Sequence, residues 1–568
     1  MDYVGLGCCA LAVALYLNTL DAGFVYDDRR AILGNPDVVA STRWQRLLNN
    51  DFWGTPLSDS GSHGSFRPLC VLSFRANYLL GGFRPFGYHL ANIIMHAVAT
   101  GLVLKLARQL LSPGWGATVV GMLFAVHPVH TEAVASVVGR ADVAACIFYL
   151  LCFLAYMQHV EWRSKDDYRQ WSALFGSFAA ACLAILWKET AITALILCAF
   201  YDILKALSKY QDKNRMRSLV ILSVVLASIV HFRLKLPTPM TQFSAADNPT
   251  AKVSSFWTRF LTFAYLPVFN VRLMLLPTTL SFDWGMDAIP RITSLFDPRT
   301  IVTISFYGGL SHTVWRCTRQ VMALAPMPIV EANHRRKARS SRKKLVAGTS
   351  TKTDCLCSVC KQALVVRHSS SCRAINNNNV PVFPCACHPR FPPEFTSHET
   401  LHPCFVMLIA IALIVLPFLP ATNILFYVGF VVAERILYLP SVGVCLLAGL
   451  AAGHILDATM AEPATAASTV PRKRSAASRI RGQQRQRIIV IVLVCVVICV
   501  FSFRTVGRNM DWHDEESLYR SAIDVIPPKA LANLGSVLSA QGRYAEAKAA
   551  LQEALKHRPN MADVHYNL

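Results

Sequence analysis

Charged residues are scarce in this chain of 568 residues: aspartate, glutamate, lysine and arginine together make up only 16% of it. Soluble domains usually carry about a quarter of such residues, so the deficit argues against a purely soluble protein. Apolar residues account for 53% of the chain and are gathered into blocks. This distribution indicates a polytopic membrane protein.

Acidic residues are fewer than basic ones, 34 against 56, and the formal net charge is +22. This excess does not indicate nucleic-acid binding, because the basic residues are concentrated in short blocks between apolar runs. The blocks are "KALSKYQDKNRMR", "HRRKARSSRKK" and "PRKRSAASRIRGQQRQR". In membrane proteins such blocks mark the cytoplasmic side. We therefore expect a membrane-embedded chain with no nucleic-acid partner.

A cleavable signal peptide and a secreted disulfide framework are also missing from the sequence. The first apolar run, 3–20, has no basic segment before it and no small-residue cleavage site, which predicts a retained signal anchor. Many of the 18 cysteines lie inside apolar runs, where a thiol packs as a small hydrophobe.

Eleven apolar runs predict membrane helices, because a bilayer core needs about 20 helical residues and the flanks extend shorter runs. They are 3–20, 88–111, 114–127, 141–159, 171–187, 190–205, 217–234, 299–316, 404–420, 438–456 and 487–503. Two further runs, 256–276 and 421–437, contain polar residues, so their sequence leaves open whether they span the membrane. The predicted fold class is an all-α, polytopic transmembrane helix bundle of about 11 helices.

The positive-inside rule orients this bundle. If the chain begins in the cytoplasm and the two ambiguous runs do not cross, segment 21–87 and everything after about 504 lie on the lumenal side. All four basic segments then lie in the cytoplasm, as the rule requires: 160–170, 206–216, 317–403 and 457–486.

The C-terminal part of the chain is soluble in character and rich in alanine. Its stretch "PKALANLGSVLSAQGRYAEAKAALQEALKHRPN" matches a tetratricopeptide repeat, in which Gly535, Ala547 and Ala554 let two helices approach closely. One period later "ADVHYNL" restarts the pattern. Such arrays need about three repeats for stability and bind extended polypeptides in their concave face, so we expect further repeats beyond Leu568.

The sequence thus predicts seven parts. They are a first transmembrane helix or signal anchor (1–20), a lumenal amphipathic loop (21–87), a helix bundle (88–316), a polar and basic Cys-rich insert (317–403), further membrane helices (404–503), a lumenal linker (504–527) and repeats (528–568). The lumenal loop is rich in aromatic residues, and its amphipathic stretches are expected to hold Trp44, Trp53 and Phe74 toward lipid headgroups.

The insert has the polar, irregular composition of a disordered cytoplasmic segment. It also contains closely spaced thiols and an imidazole, which are ligands that Zn²⁺ accepts. The spacing C-x-C-x₂-C is not a usual zinc pattern, so a zinc site and a cysteine-rich loop without metal both stay open. The candidate ligands are Cys355, Cys357, Cys360, Cys385, Cys387 and His388.

Four charged clusters lie at ends of predicted membrane helices, where charge is unfavourable and therefore points to function. In the topology above all four face the lumen, which favours one shared site. The clusters are Asp27 and Asp28; His127, His130, Glu132, Arg140 and Asp142; Lys188 and Glu189; and Glu434 and Arg435.

Each cluster also has a simpler interpretation. The aspartate pair suits a solvated turn, the pair "KE" a snorkelling helix cap, and the pair "ER" an internal ion pair. His127 and His130 have a spacing that suits metal ligands, but Pro128 argues against a regular helix there. The sequence leaves these alternatives open.

Transfer from a lipid-linked donor with a phosphate leaving group would suit such a site. Arg140, Lys188 and Arg435 are candidates for binding the departing phosphate. Asp27 or Asp28 is a candidate general base for an incoming hydroxyl, and a single displacement would invert the sugar configuration. The other charged residues are expected to shape the site: His130, Glu132, Asp142, Glu189 and Glu434.

The same stretches resemble the transmembrane and tetratricopeptide-repeat-containing protein family. The resemblance covers almost all of 20–310 and 404–568, with several long motifs in the family's order before the repeats. The matching motifs are "FVYDDRRAILGNPDV", "NDFWGT", "GSHGSFRPLCVLSFR", "HPVHTEAVASVVGRADVAA", "WKETAITAL", "LPTTLSFDWGMDAIP" and "PATNILFYVGFVVAERILYLPSVG". The stretch "SFDWGMDAIP" has no role that the residues alone suggest, and the insert 317–403 departs from the family.

The resemblance implies a GT-C-type glycosyltransferase in the endoplasmic-reticulum membrane, multi-pass, with lumenal repeats. The implied donor is dolichyl-phosphate mannose, and the implied acceptors are Ser or Thr hydroxyls of lumenal polypeptides such as cadherin-type domains. An acidic residue of the first lumenal loop acts as base in related enzymes, which corresponds here to Asp27 or Asp28. No cofactor is certain, and a requirement for a divalent metal stays open.

Two other functional classes are compatible with the sequence. A non-catalytic membrane scaffold would recruit lumenal partners through the repeats, but it does not need four charged clusters on one side. A transporter or channel would also place charge within its bundle, but the repeats and the lumenal clustering argue against it. A mannosyltransferase is therefore the favoured interpretation.

Overall fold

The structure is a computed structural model that describes residues 2–111, 113–208, 214–237, 244, 246–323, 401–457 and 473–568, with side chains of the last range from 482 onward. All regular secondary structure longer than a single bridge is helical in these residues. The prediction of an all-α chain is confirmed.

A helix lies at each of the 11 predicted runs, although Tyr3–Ala14 ends six residues before its run does and Lys473–Asp511 begins 14 residues before its run. In chain order the longer α-helices are Tyr3–Ala14, Pro68–Gly81, Pro85–Leu111, Trp115–Val126, Arg140–Ser164, Gln170–Trp187, Thr193–Ser208, Arg215–Lys235, Phe256–Leu275, Pro298–Ala323, Pro403–Phe418, Ser441–Leu456, Lys473–Asp511, Pro527–Ala540 and Tyr544–His557.

Seven of the described helices are long and apolar enough to cross a membrane, and the bent pair Trp115–Val126 and Pro128–Ala135 makes up to eight. This is fewer than the 11 expected. Tyr3–Thr19 and Ser441–Leu456 are apolar but short. The run 299–316 does form a helix, Pro298–Ala323, but its arginines and other polar residues keep it outside the candidate spans.

The two ambiguous runs differ in structure. Run 256–276 forms the helix Phe256–Leu275, with Pro267 in its interior. Run 421–437 forms no long helix and ends in the short 3-10 turn Glu434–Leu437. A segment without regular helix is tolerated at membrane depth only where protein or a cavity surrounds it, and this turn carries one of the four charged clusters.

Small residues bring membrane helices into close contact. Gly116 and Gly449 meet between the helices Trp115–Val126 and Ser441–Leu456, and a Cβ atom on Gly449 would lie 2.6 Å from the Gly116 carbonyl oxygen. Such contacts let helix backbones approach in a lipid environment, where packing replaces the hydrophobic effect as the driving force.

The helix pair Pro527–Ala540 and Tyr544–His557 forms the repeat expected from the sequence. A Cβ atom on Gly535 would lie 2.6 Å from Leu551 Cγ, while Ala547 and Ala554 are buried, so the small residues do permit the close approach. The helix Pro527–Ala540 shares one apolar core with Val25 of the first loop and Phe282.

The predicted insert 317–403 and the predicted amphipathic loop 21–87 differ in part from what the sequence indicated. Residues 317–323 continue the helix Pro298–Ala323, and Pro403 begins the helix Pro403–Phe418, so helices extend past both predicted ends of the insert. Residues 324–400, with the six candidate zinc ligands, lie outside the described residues. Trp44 is exposed and Trp53 half-buried. The expectation for Phe74 was wrong, because its ring is buried beneath the Arg140 guanidinium, 5.0 Å from the ring centroid.

Candidate active site

The four charged clusters converge, and one link joins the first loop to the last cluster. Arg435 Nη1 donates a hydrogen bond of 2.8 Å to Asp27 Oδ2. Arg435 also lies 3.6 Å from Glu132 Oε1 through Nε, and its backbone N–H donates to Glu132 Oε2 at 2.9 Å. One guanidinium thus joins two carboxylates that are distant in sequence.

The three linked side chains, Asp27, Arg435 and Glu132, differ in how much of their surface is exposed. The side chains of Asp27 and Arg435 are 21% and 26% exposed, whereas that of Glu132 is 5% exposed. Burial lowers the pKa of Arg435, but the neighbouring carboxylates of Asp27 and Glu132 raise it by more, so the pKa lies above its usual range. Arg435 is a permanent cation beside an accessible carboxylate.

Asp28 has a different environment from its neighbour. It is fully buried, and its oxygens accept hydrogen bonds from Val138 N at 2.8 Å, Val137 N at 3.2 Å and Ser136 Oγ at 3.2 Å. Burial raises its pKa to about 6, although these backbone N–H groups oppose the rise. Asp28 therefore holds the turn after Ala135 against the first loop and has no open side for a substrate.

The backbone explains how adjacent aspartates diverge. Tyr26 has φ of +53°, a left-handed conformation that is uncommon for a residue with a side chain. The chain turns there, so that Asp28 enters the protein while Asp27 stays at the surface of the site. Such strain is maintained by surrounding contacts and is concentrated at functional sites.

Lys188 and Glu189 contribute in opposite directions. Lys188 Nζ binds Asp142, and both side chains are less than 10% exposed. Glu189 turns back to the first loop, where it accepts Phe66 N at 2.8 Å and Arg67 Nε at 3.2 Å. The ion pair of Lys188 and Asp142 thus places a buried cation behind the site. The contacts of Glu189 anchor the first loop.

The surroundings of Arg140 do not favour the phosphate-binding role that we predicted for it. It is 1% exposed, and its guanidinium donates to Asn92 Oδ1, Asn77 Oδ1 and the Tyr88 carbonyl oxygen at 2.7 to 2.8 Å. All three nitrogens are used within the protein. This geometry argues against phosphate binding by Arg140 and favours a role in joining helices beneath the loop.

The two histidines lie behind the site. His127 uses both ring nitrogens, Nε2 with the Met274 carbonyl oxygen at 2.9 Å and Nδ1 with Val129 N at 3.3 Å. His130 Nε2 lies 2.7 Å from Ser441 Oγ. Among the described residues no group of three or more His, Cys, Asp or Glu side chains is arranged to hold a metal ion. His130 packs the site from below.

Glu434 leads to residues for which the sequence suggested no role. Its Oε1 accepts Ser281 N at 2.6 Å and Trp284 Nε1 at 3.1 Å. Burial raises the pKa of Glu434 to about 8, and the charge of Arg508 opposes this only in part. The motif "SFDWG" is therefore fastened to the turn that carries Arg435. In the sequence, the polar and aromatic composition of this motif between apolar helices was the feature that could have indicated a role for it.

Three protein-family models match parts of this chain. A model described as "Protein O-mannosyl-transferase TMTC, DUF1736" matches residues 236–311, and one described as "Dolichyl-phosphate-mannose-protein mannosyltransferase" matches 68–232. A tetratricopeptide-repeat model matches 528–561. No solved structure matches the chain.

Named relatives align with the whole chain. "Protein O-mannosyl-transferase Tmtc2" of Drosophila melanogaster is 46% identical, with 100% of this chain and 65% of the relative aligned. "Protein O-mannosyl-transferase TMTC2" of Homo sapiens is 38% identical, with 98% of this chain and 63% of the relative aligned. The chain belongs to the transmembrane and tetratricopeptide-repeat-containing (TMTC) protein family.

This TMTC chain spans less than two thirds of the length of those curated relatives. The mannosyltransferase match contains Glu132, Asp142 and Lys188, and the DUF1736 match contains the "SFDWG" motif. Asp27 and Arg435 lie outside all three matched ranges. The site therefore combines segments that the separate models do not join.

Proposed function

We propose that this TMTC chain is a protein O-mannosyltransferase that transfers mannose from dolichyl-phosphate mannose to Ser or Thr hydroxyls. The observation that carries the proposal is the partly exposed pair of Asp27 and Arg435, which lies beside the buried carboxylate of Glu132. A base beside a cation suits displacement of a phosphate by a hydroxyl. The printed names of the relatives support the same class of reaction.

Asp27 is the general base in this proposal. It takes the proton of the Ser or Thr hydroxyl while the hydroxyl oxygen forms a bond to C1 of mannose. The bond from C1 to the phosphate oxygen breaks on the opposite face, and its electron pair leaves with dolichyl phosphate. One displacement of this kind inverts the configuration at C1. Asp28 is a positioning residue, because its carboxylate is enclosed by backbone N–H groups.

Arg435 binds the leaving group. Guanidinium binds phosphate through two parallel hydrogen bonds, so the donor phosphate would compete with Asp27 for Nη1 of Arg435. Donor binding would then release Asp27 Oδ2, which is the atom that must accept the proton. Lys188 is already bound to Asp142 and buried, so its charge supports the site from behind.

The cellular setting follows from the same proposal. The protein is a multi-pass protein of the endoplasmic-reticulum membrane, with the first loop and the repeats in the lumen and the basic segments in the cytoplasm. The acceptors are lumenal polypeptides, with cadherin-type domains as the class implied by the family. Direct packing of the first repeat on the first loop supports this arrangement, because both belong to one apolar core.

A transfer assay tests the proposal. Purified chain in detergent is given dolichyl-phosphate mannose and a cadherin-type domain, and mannose on the acceptor is measured by mass spectrometry. Asp27→Asn should abolish transfer, while the matched change Asp21→Asn on the exposed residue six positions earlier should not. Transfer that persists in Asp27→Asn contradicts the site assignment. A folded wild-type chain without transfer contradicts the function and favours a scaffold.

A further inference from the structure

The "SFDWG" turn connects the proposed catalytic site to the first repeat. Ser281 and Trp284 bind Glu434, beside Arg435, as described above. Between them, the carboxylate of Asp283 accepts a hydrogen bond from Lys529 Nζ, and the side chains of this pair are 14% and 21% exposed. Lys529 is near the start of the repeat helix Pro527–Ala540. One short segment thus contacts both Glu434, next to the proposed site, and Lys529 of the first repeat.

Lys529 also reaches the loop that carries Asp27. Its ammonium lies 5.9 Å from the ring centroid of Tyr26, the residue directly before Asp27. The same ring meets Phe282 edge-on, with centroids 4.9 Å apart. Cation–π and edge-to-face ring contacts of this kind are both attractive and restrain the ring. The Tyr26 ring is therefore held by both the motif and the repeat.

Further contacts exclude a loosely tethered repeat. Phe282 packs edge-on against Tyr519, with centroids 5.2 Å apart. Gly23 N donates to the His513 carbonyl oxygen at 3.0 Å, and Arg29 pairs with Glu515 at 2.8 Å. The first loop and Phe282 therefore also contact residues 513–519, which precede the repeat. These contacts give the repeat a defined position relative to Asp27.

We infer that Asp283 and Lys529 are positioning residues that set the register between the polypeptide-binding repeat and the base Asp27. This inference rests on the proposed function. An acceptor held in the concave face of the repeats reaches the site in a geometry set by the docked first repeat. A displacement of about 1 Å at a reacting centre is enough to lower a rate about 100-fold, so a fixed register favours hydroxyls at one distance along the acceptor.

The inference separates two kinds of acceptor. A long extended polypeptide that reaches the repeats depends on the register, whereas a short peptide with a single Thr binds only at Asp27 and does not. Breaking the pair should therefore reduce transfer to the long acceptor selectively. General damage to the site would reduce both.

Three variants of the full chain test this, with both acceptors and dolichyl-phosphate mannose. Lys529→Met should lower kcat/KM for the long acceptor about tenfold and leave the short peptide within about twofold. Lys529→Arg, which keeps the charge, should restore most of the loss. Lys556→Met removes an exposed lysine that pairs with Glu553 in the second helix of the same repeat, and it should match the wild type.

Hydrogen exchange supplies a readout that does not need activity. Amides of Pro527–Ala540 should exchange faster in Lys529→Met than in wild type or Lys556→Met. Unchanged exchange, or an equal loss with both acceptors, would overturn the inference. If the wild type transfers to neither acceptor, the proposed function fails and the acceptor role fails with it, whereas exchange still decides whether the pair docks the repeat.

Discussion

Arg435 donates a 2.8 Å hydrogen bond to Asp27, a residue 408 positions away in the chain. This contact joins the turn before the helix Ser441–Leu456 to the loop after the first apolar helix. Glu132 lies on the other side of Arg435, with its Oε1 3.6 Å from Arg435 Nε. In the proposed function this second carboxylate stays beside the guanidinium when a donor phosphate replaces Asp27.

Adjacent aspartates should respond differently to the same change. Asp27→Ala should lower transfer at least 100-fold through loss of the base, with little change in the apparent Tm. Asp28→Ala should destabilise the chain by about 1–3 kcal/mol, because it leaves buried N–H groups of Val137 and Val138 without an acceptor. Assays of transfer and thermal unfolding in detergent distinguish the two. Equal Tm losses would contradict the division of roles.

Arg435, which is partly exposed, and Arg140, which is buried, offer a matched comparison. Arg435→Lys should raise KM for the lipid donor about tenfold or more, since lysine lacks the two parallel donors with which a guanidinium binds phosphate. Arg140→Lys should leave donor KM unchanged and lower the apparent Tm, because Arg140 binds only protein groups. A donor defect in Arg140→Lys with normal stability would restore Arg140 as a phosphate ligand.

Glu434 should make stability depend on pH. Its pKa is raised from the usual value near 4.5 to about 8 by burial, so the folded chain binds the proton more tightly than the unfolded chain. Between about pH 4.5 and 8 the free energy of unfolding should therefore fall as pH rises, by at most about 1.4 kcal/mol per pH unit. Below and above this window Glu434 adds no slope.

Glu434→Gln is the control for that slope, since the amide resembles the protonated carboxyl and keeps an oxygen for Ser281 N and Trp284 Nε1. It should leave stability at about pH 4.5 close to that of the wild type and flatten the slope between about pH 4.5 and 8, so that the variant is the more stable of the two at pH 8. Thermal unfolding across this range measures it. A wild-type slope that persists in the variant would assign the effect to another group.

The proposed topology predicts where glycans are added. Acceptor sites for N-glycosylation inserted near residue 60 and after residue 510 should be modified in microsomes, because both segments lie in the lumen. A site inserted in the basic segment 160–170 should stay unmodified. A mobility shift sensitive to glycosidase reports the result, and an unmodified site at either lumenal position would contradict the proposed topology.

The local sequence pattern predicted much of the helical structure. Most apolar runs became helices within a few residues of their predicted ends, because hydropathy and helix length depend only on neighbouring residues. The repeat was predictable for the same reason, since its small residues recur at fixed spacing. The number of membrane spans was less predictable. Charged or short helices such as Pro298–Ala323 and Tyr3–Ala14 depend on their neighbours for burial.

Within the site, the sequence by itself determined that charged residues accumulate at helix ends, where their desolvation has to be offset. It did not distinguish Asp27 from Asp28, nor Arg435 from Arg140, because the members of each pair are chemically identical. Only the tertiary structure decided that the Asp28 and Arg140 side chains are fully enclosed while those of Asp27 and Arg435 are in part exposed. The physical reason is that hydrogen-bond saturation and exposure depend on contacts between distant segments.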